Sequence, residues 1–442
     1  MKYKLLVSAV TILVISSVSG FAAQPLQLQI DQIKAQQQQL QQQLAQLQGN
    51  SSSGGLVYVG EVGGKLISAK SSRFGRDLGL LKSLQKAGNQ APLLTLGGVL
   101  EANASYGRSV LPNSDDKILS TNGFAANQNS SSVWLDTARL DVLARINDWV
   151  NTDLQLDLHK STVLRTGVLT IGNLNESPMY FTLGKMYPYF GDFSGHNTST
   201  NYPLTTNYFR IKAISGASLG FYQSGLNSSL TVFKNQAQLT QAGTTPIVYS
   251  ASNNNHINDW IFNTNYSFNV NNIKAKVGVG YIADLTNVSD SSIARGQIFE
   301  KNGEQLPAWN MSGQLAIGPI SFKANYAQTT KEIARTGGGE LKGYNLQAGY
   351  KFNWVKPIDI LLGYSALKNT DYLIQPNLTS GTVNSLTSEP GLKNQWLLGI
   401  RAKLLRNTWG ALEFARVGQY SSLTSDDTSH YNIVTADFYV KF

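Results

Sequence analysis

The chain contains no cysteine, so disulfides, thiolate metal sites and a Cys nucleophile are excluded. Its four histidines, His159, His196, His256 and His430, stand in no metal-ligand spacing, and no metal or cofactor is expected. Ser161 near His159 has the composition of a nucleophile and its base, but such adjacency arises often by chance. Gly337-Gly338-Gly339 reads as a loop tip, because no helix pattern follows it. The chemistry that recurs is charge at period two. Lys274 and Lys276 stand two apart, as do Arg401 and Lys403, and Arg139 and Asp141. Residues i and i+2 share one face of a strand, so these pairs would line a wall with charge. Arg145 and Lys323 fall on faces of the same kind, and Glu101, Asp141, Asp153, Asp157 and Asp437 counter them. Two readings stand: a positive excess that favours anionic solutes, or charges that pair across strands and only solvate the wall.

The elements that would position these residues are strands with one apolar face. Trp260, Phe262, Tyr266 and Phe268 alternate with polar residues, as do Tyr344, Leu346, Ala348, Tyr350 and Phe352, and Trp396, Leu398, Ile400, Ala402 and Leu404. Such segments begin near 94, 133, 153, 164, 179, 217, 228, 258, 273, 307, 320, 341, 358, 395, 409 and 431. Short turns, such as Asn269-Val270-Asn271-Asn272, Gly318-Pro319 and Arg406-Asn407-Thr408, alternate with long Asn/Ser/Thr/Gly-rich stretches at 109–131, 191–215, 236–257, 286–305, 331–340, 368–393 and 419–430. Short turns at one end and long loops at the other are the layout of a transmembrane barrel. The reading is an all-β fold: a 16-stranded antiparallel transmembrane β-barrel over 93–442, preceded by an α-helical coiled-coil segment. Sixteen strands leave room for an aqueous lumen.

Composition agrees. The chain is 42% hydrophobic yet only 14% charged, against about 25% charged in soluble domains. Beyond the N-terminus no run approaches the roughly 20 apolar residues that a membrane helix needs. The net charge of +9 is read as a property of the lumen and not as a nucleic-acid footprint. Val434, Ala436, Phe438, Val440 and Phe442 share one face of the last strand. A terminal strand closing on Phe resembles the assembly signal of bacterial outer-membrane proteins. It implies the barrel-assembly machinery and outer-membrane lipid as partners.

The N-terminus reads as an address followed by a stalk. Lys2 and Lys4 precede the apolar run Leu5 to Val18, and Gly20-Phe21-Ala22 offers a cleavage site, so 1–22 reads as a signal peptide; the alternative is a signal anchor. Leu26, Ile30, Ile33, Gln37, Leu40, Leu44 and Leu47 then form an unbroken heptad seam. Residues 23–48 are read as a coiled coil suited to a homotrimer, or else as a Gln-rich tail. Residues 49–92 form a linker and a periplasmic or lumenal lead, with short strands within 56–67 and a small helix over 78–86.

The third long loop follows Gly184-Lys185-Met186-Tyr187-Pro188-Tyr189-Phe190-Gly191-Asp192-Phe193. Pro188 and Gly191 would end the strand and turn the chain. Tyr187, Tyr189, Phe190 and Asp192 would then narrow the lumen, or they form an interfacial aromatic girdle. Lys185 shares parity with Phe181 and Leu183, so it snorkels or lines the pore.

The stretches LTLGGVLEANASY (94–106), RLDVLARINDWVNTDLQLDL (139–158) and VLTIGNLNESPMYFTLGKMYPYFGDF (168–193), with the Gln/Leu heptads, resemble the LbtU family of siderophore porins. Tyr189 between Pro188 and Phe190 is a small departure. The resemblance implies a sixteen-stranded outer-membrane barrel that admits a ferric siderophore without a TonB-dependent plug. A general or anion-preferring diffusion porin for small solutes is the alternative. An outer-membrane enzyme or a coiled-coil tether to peptidoglycan is a third reading.

Overall fold

The computed structural model describes residues 57–59, 76–87, 94–108, 129–159, 163–193, 201–235, 256–286, 288, 305–333, 338–353, 355–370, 392–405, 407–422 and 425–441. The signal peptide, the coiled coil, most of the linker and Phe442 lie outside the described residues. The described elements begin with a short strand β1 (Val57–Val59) and a helix α1 (Arg76–Ala87). The barrel strands are β2 (Leu94–Arg108), β3 (Asn129–Arg145), β4 (Val150–Asp157), β5 (Val163–Ile171), β6 (Met179–Met186), β7 (Ile214–Gln223), β8 (Leu226–Phe233) and β9 (Asp259–Val270). They continue with β10 (Ile273–Ile282), β11 (Ala308–Ile317), β12 (Ile320–Ile333), β13 (Gly338–Asn353), β14 (Pro357–Lys368), β15 (Leu392–Leu405), β16 (Thr408–Ser422) and β17 (Ser425–Lys441). A second helix, α2 (Leu204–Phe209), interrupts the connection between β6 and β7.

Each barrel strand pairs antiparallel with its sequence neighbour, and β17 returns to pair with β2 from Ile433↔Gly107 to Lys441↔Val99. The sixteen strands therefore close into a barrel. β1 takes the edge of β2 that β17 leaves free, pairing parallel at Val57↔Leu94 to Val59↔Leu96. Observed strand starts fall within a few residues of those expected from the pattern. Two expected long loops, 331–340 and 419–430, are instead mostly strand. β12 runs on to Ile333 and β17 starts back at Ser425. These extensions are rich in Thr, Lys, Ser and Asp, because strand pairing beyond an apolar layer needs no apolar face and so carries no period-two hydrophobic signal.

The short turns use residues that tolerate positive φ. Ser224 and Gly225 between β7 and β8 take φ of 49° and 90°, the two-residue primed geometry whose twist matches a hairpin. Outward residues are apolar: Leu346, Leu362, Leu398 and Phe438 are each about half exposed. Inward residues are polar and buried, among them Thr95, Asn103, Asn265, Asn325, Asn345 and Gln395. An apolar outside around a polar inside is stable in hydrocarbon and not in water.

An apolar cluster fills the lumen toward the long-loop end. Phe190, Phe193, Leu204, Phe209 and Ile211 from the β6–β7 connection meet Phe233, Ile261, Ile282, Leu341, Leu367 and Ile433 from the wall. Phe209 has no exposed surface. Replacing Phe209 by Ala is expected to cost about 3–5 kcal/mol of stability in denaturant unfolding of the refolded barrel. Leu398→Ala on the lipid side removes no packed core and should cost far less.

Candidate functional site

The site is built where the β6–β7 connection crosses the lumen. β6 ends at Met186, and the chain turns inward through Tyr187, Pro188 and Tyr189. Gly191 sits at φ +67° with no room for a side chain: a Cβ there would lie 2.7 Å from Asn310 Oδ1 and 2.9 Å from the Phe193 ring. Beyond it, Phe193 stacks on Phe209 at 5.9 Å between centroids, and Thr206 Oγ1 donates to Phe193 O at 2.5 Å. α2 packs on β13, β14 and β15. Leu204 N donates to Ser365 Oγ, and Asn201 donates through N and Nδ2 to Glu413 Oε1.

Two lysines of the wall meet the entry of this connection. Lys323 Nζ stands 2.9 Å from Asp192 Oδ1, and Gln314 Nε2 donates to the other oxygen of the same carboxylate. Lys276 Nζ donates to Tyr189 Oη. Burial, with Asp192 nearby, pushes the Tyr189 hydroxyl well above its ordinary value, so it stays protonated. The structure thus brings together Tyr189, Asp192, Lys276 and Lys323. Phe190 instead enters the apolar cluster, and Tyr187 lies under Arg165 at 5.7 Å. All four stand inside the barrel and not on an outer girdle.

The second occupant of the lumen is α1. Its Leu80 packs on Leu143, and Leu78 and Leu81 pack on Tyr180. At its start Arg76 holds Asp153 through Nε at 2.5 Å and Nη2 at 2.9 Å, with Asp141 at 3.6 Å. Asp77 accepts from Leu78 N and from Thr182 Oγ1; burial pushes its carboxyl above the usual carboxylate range despite these bonds. At its other end Lys82 lies 4.2 Å from the Tyr222 ring centroid, and Gln85 donates to Leu174 O. Between α1, Tyr187–Tyr189 and the wall of β5–β8 lies a small cavity of about 40 Å³, lined by Thr166, Ser218, Asn227, Ser229 and Thr231.

The remaining charged residues singled out by spacing all fall on inward registers, and several are paired. Arg139 stands 3.5 Å from Asp141, Arg145 pairs with Asp148 at 2.7 Å, and Arg401 pairs with Asp359 at 2.6 Å. Lys403 lies 5.9 Å from the Trp409 ring. Among the described residues Lys274, Lys351 and Lys403 make no ion pair, and each lies within a few residues of a short turn. Lys185 is on the lipid side, where its Nζ donates to Leu164 O at 2.7 Å. Spacing missed Arg76, Asp77, Asp359 and Glu413 as lumen residues. Arg76 and Asp77 were signalled only by their place at the head of a short amphipathic run.

No protein-family model matches the chain. A UPF0422 protein of Coxiella burnetii is 24% identical over 293 residues, covering 62% of this chain and 57% of that protein. A UPF0422 protein of Legionella pneumophila is 28% identical over 148 residues, 30% of this chain and 25% of that one. The chain thus spans little more than half the length of the first of these relatives. Among solved structures, Pseudomonas putida OprB superposes with a TM-score of 0.50 at 9% identity, covering 82% of this chain and 96% of that one. The outer membrane channel DcaP of Acinetobacter baumannii gives 0.49 at 11%, covering 79% and 97%. The chain shares its barrel fold with OprB.

The Arg76–Asp153 contact is open to test. Arg76→Ala leaves Asp153 buried without its cation, a change that typically costs about 3–5 kcal/mol. Single-channel recording in planar bilayers should show a larger conductance or frequent stepwise openings as α1 loosens. Arg76→Lys keeps the charge and should lie between the two.

Proposed function

We propose that the chain is an outer-membrane channel for small anionic solutes. The observation that carries this reading is the partition of inward charge. Arg139, Arg145, Lys323 and Arg401 of the wall each have a carboxylate partner, whereas among the described residues Lys274, Lys351 and Lys403 make no ion pair. Lys323 pairs with Asp192 while Lys276 bonds the neutral Tyr189 hydroxyl, so one carboxylate faces two lysines at the narrowing. Fixed cations inside a low-dielectric wall raise the local concentration of anions. A closed sixteen-stranded barrel with a polar inner face supports a channel.

A finer reading is that the solute is a ferric siderophore. The block 168–193 favours it, since its likeness to siderophore porins falls on the residues that form the narrowing. Carboxylate-rich ferric chelates are anionic, so the two readings share one electrostatic logic.

The outer surface supports a homotrimer. Outward Trp260, Tyr281, Trp309, Tyr326, Tyr344, Tyr364 and Trp396 form a row across β9–β15, with neighbouring rings 4.6–5.9 Å apart where they touch. Tyr and Trp rings mark a membrane interface. No outward Tyr or Trp occurs on β4–β8, and β4, β5, β6 and β8 are the shortest barrel strands, at 8 or 9 residues. That side is assigned to subunit contact, and the heptads of Leu26–Leu47 would join the same three subunits. The last strand, ending at Phe442, would be read by the barrel-assembly machinery.

Reversal potentials across a salt gradient test the anion reading. Changing Lys274, Lys351 and Lys403 together to Gln should lower the anion-over-cation permeability ratio about twofold or more at low salt, with little effect at 1 M, where screening is nearly complete. An unchanged ratio would sink it. Growth of a deletion strain on iron-limited medium with its own siderophore tests the finer reading: unimpaired siderophore use would remove it and leave the channel standing.

A further inference from the structure

The mouth formed by the short turns carries an aromatic pair on the inner wall. Trp409 follows the turn at Asn407 and stands in register with Lys403 of β15 on one side and with Tyr439 of β17 on the other. The Trp409 and Tyr439 rings stack, 5.1 Å between centroids and 10° from parallel. Tyr439 shares the inward register of Thr435 and Asp437 and keeps only 2% of its surface exposed, so the pair belongs to the lumen and not to the lipid face.

A chain of polar contacts fixes this pair. Arg401 is in register with Ala411, whose methyl group leaves a path across β16 toward β17. The guanidinium donates from Nη2 to Asp359 at 2.6 Å and from Nη1 to the Tyr439 hydroxyl at 3.4 Å. Asp359 thus orients Arg401, Arg401 orients the phenol, and the phenol backs the indole. Tyr439 covers the indole face turned toward β17. The opposite face is turned toward β15, and Trp409 as a whole is half-buried. On that side Lys403 Nζ stands 5.9 Å from the indole centroid, within the range in which a cation is drawn to a ring. Among the described residues Lys403 makes no ion pair. Lys441 Nζ lies 5.5 Å from the same centroid. The acids of this stretch, Glu101 and Asp437, lie on β2 and β17, on the Tyr439 side of the indole and not on the Lys403 side.

We propose that this corner of the mouth binds aromatic anions, solutes with a flat ring that carries a carboxylate. The solute ring lies against the β15-facing side of the indole, in the offset arrangement that aromatic pairs prefer. Its carboxylate meets the Lys403 ammonium. A carboxylate attached directly to a ring lies close to the ring edge, so one solute reaches both partners at once. An aliphatic anion uses Lys403 alone, and a neutral aromatic uses Trp409 alone. Only an aromatic anion uses both. The site rests on the anion reading of the channel and narrows it to a class of solute.

Block of the chloride current through the full refolded chain in planar bilayers tests the site, with benzoate and cyclohexanecarboxylate as probes. The two acids have the same charge and nearly the same size, and only benzoate has a flat π face. Benzoate should half-block at a concentration about threefold or more below that of cyclohexanecarboxylate, although the saturated ring is the more hydrophobic. Trp409→Leu should bring this ratio to about one, and Trp409→Phe, which keeps a flat ring, should retain a preference for benzoate. Lys403→Gln should raise the half-blocking concentration of both acids about twofold or more at low salt. The comparison in the native chain needs no variant, so it decides even where Trp409→Leu does not fold. Equal block of native channels by the two acids, or a benzoate preference that survives in Trp409→Leu, would overturn the proposal. Reversal potentials recorded on the same membranes separate the two levels. Anion selectivity with equal block removes this site and leaves the anion channel, whereas cation selectivity removes both.

Discussion

The pairing of β17 with β2 leaves the barrel wall without a free edge except where β1 caps the start of β2. In hydrocarbon an unpaired backbone group costs several kcal/mol, so every other feature presupposes this closure. Closure also divides the side chains. One face of each strand must be apolar because lipid lies outside. Whatever the protein does with solutes can be written only on the inward residues and on segments that enter the lumen. The Asn, Ser, Thr and Gln of the inward face are the chemistry that remains for a wall that must be wet on one side.

Two segments enter the lumen, and different forces hold them. The β6–β7 connection is held mainly by apolar burial. Phe190, Phe193, Leu204, Phe209 and Ile211 are almost wholly removed from water, each worth about 1.5–3 kcal/mol. Its polar anchors, Asp192 to Lys323 and Asn201 to Glu413, fix direction more than they add stability. α1 buries only Leu78, Leu80 and Leu81 and depends on Arg76 being matched to Asp153. A buried ion pair returns little beyond its desolvation cost. The connection is therefore a fixed part of the pore, and α1 is the occupant with less free energy holding it.

How legible this was differs by element. The strands were legible because one buried and one lipid face force a period of two, and the sixteen observed starts follow it. Where β12, β13, β16 and β17 extend past the apolar layer, that force is absent and the pattern reads as loop. Pro188 and Gly191 announced a turn, and the collision a Cβ at Gly191 would have with Asn310 shows why glycine stands there. The destination was not legible. Glu413 lies 212 positions from Asn201, and no local spacing encodes such a meeting. The helix was visible as a short apolar run, but its place in the lumen depends on Asp153, 77 positions from Arg76.

Charge spacing marked which residues face inward but not which remain electrostatically active. Arg139, Arg145 and Arg401 each lie within 4 Å of a carboxylate, and a close pair acts at distance as a dipole. Its influence falls off faster than that of a single charge. Lysines without a partner project a field over roughly a Debye length, about 8 Å at physiological salt. Lys274, Lys351 and Lys403 sit near the short turns, so among the described residues an unpaired cationic field belongs to that mouth, while at the narrowing Lys323 pairs with Asp192 and Lys276 bonds Tyr189. The two features in series divide the work. In the proposed channel, geometry at the β6–β7 connection would set what size can pass, and the mouth would set which sign of charge accumulates there.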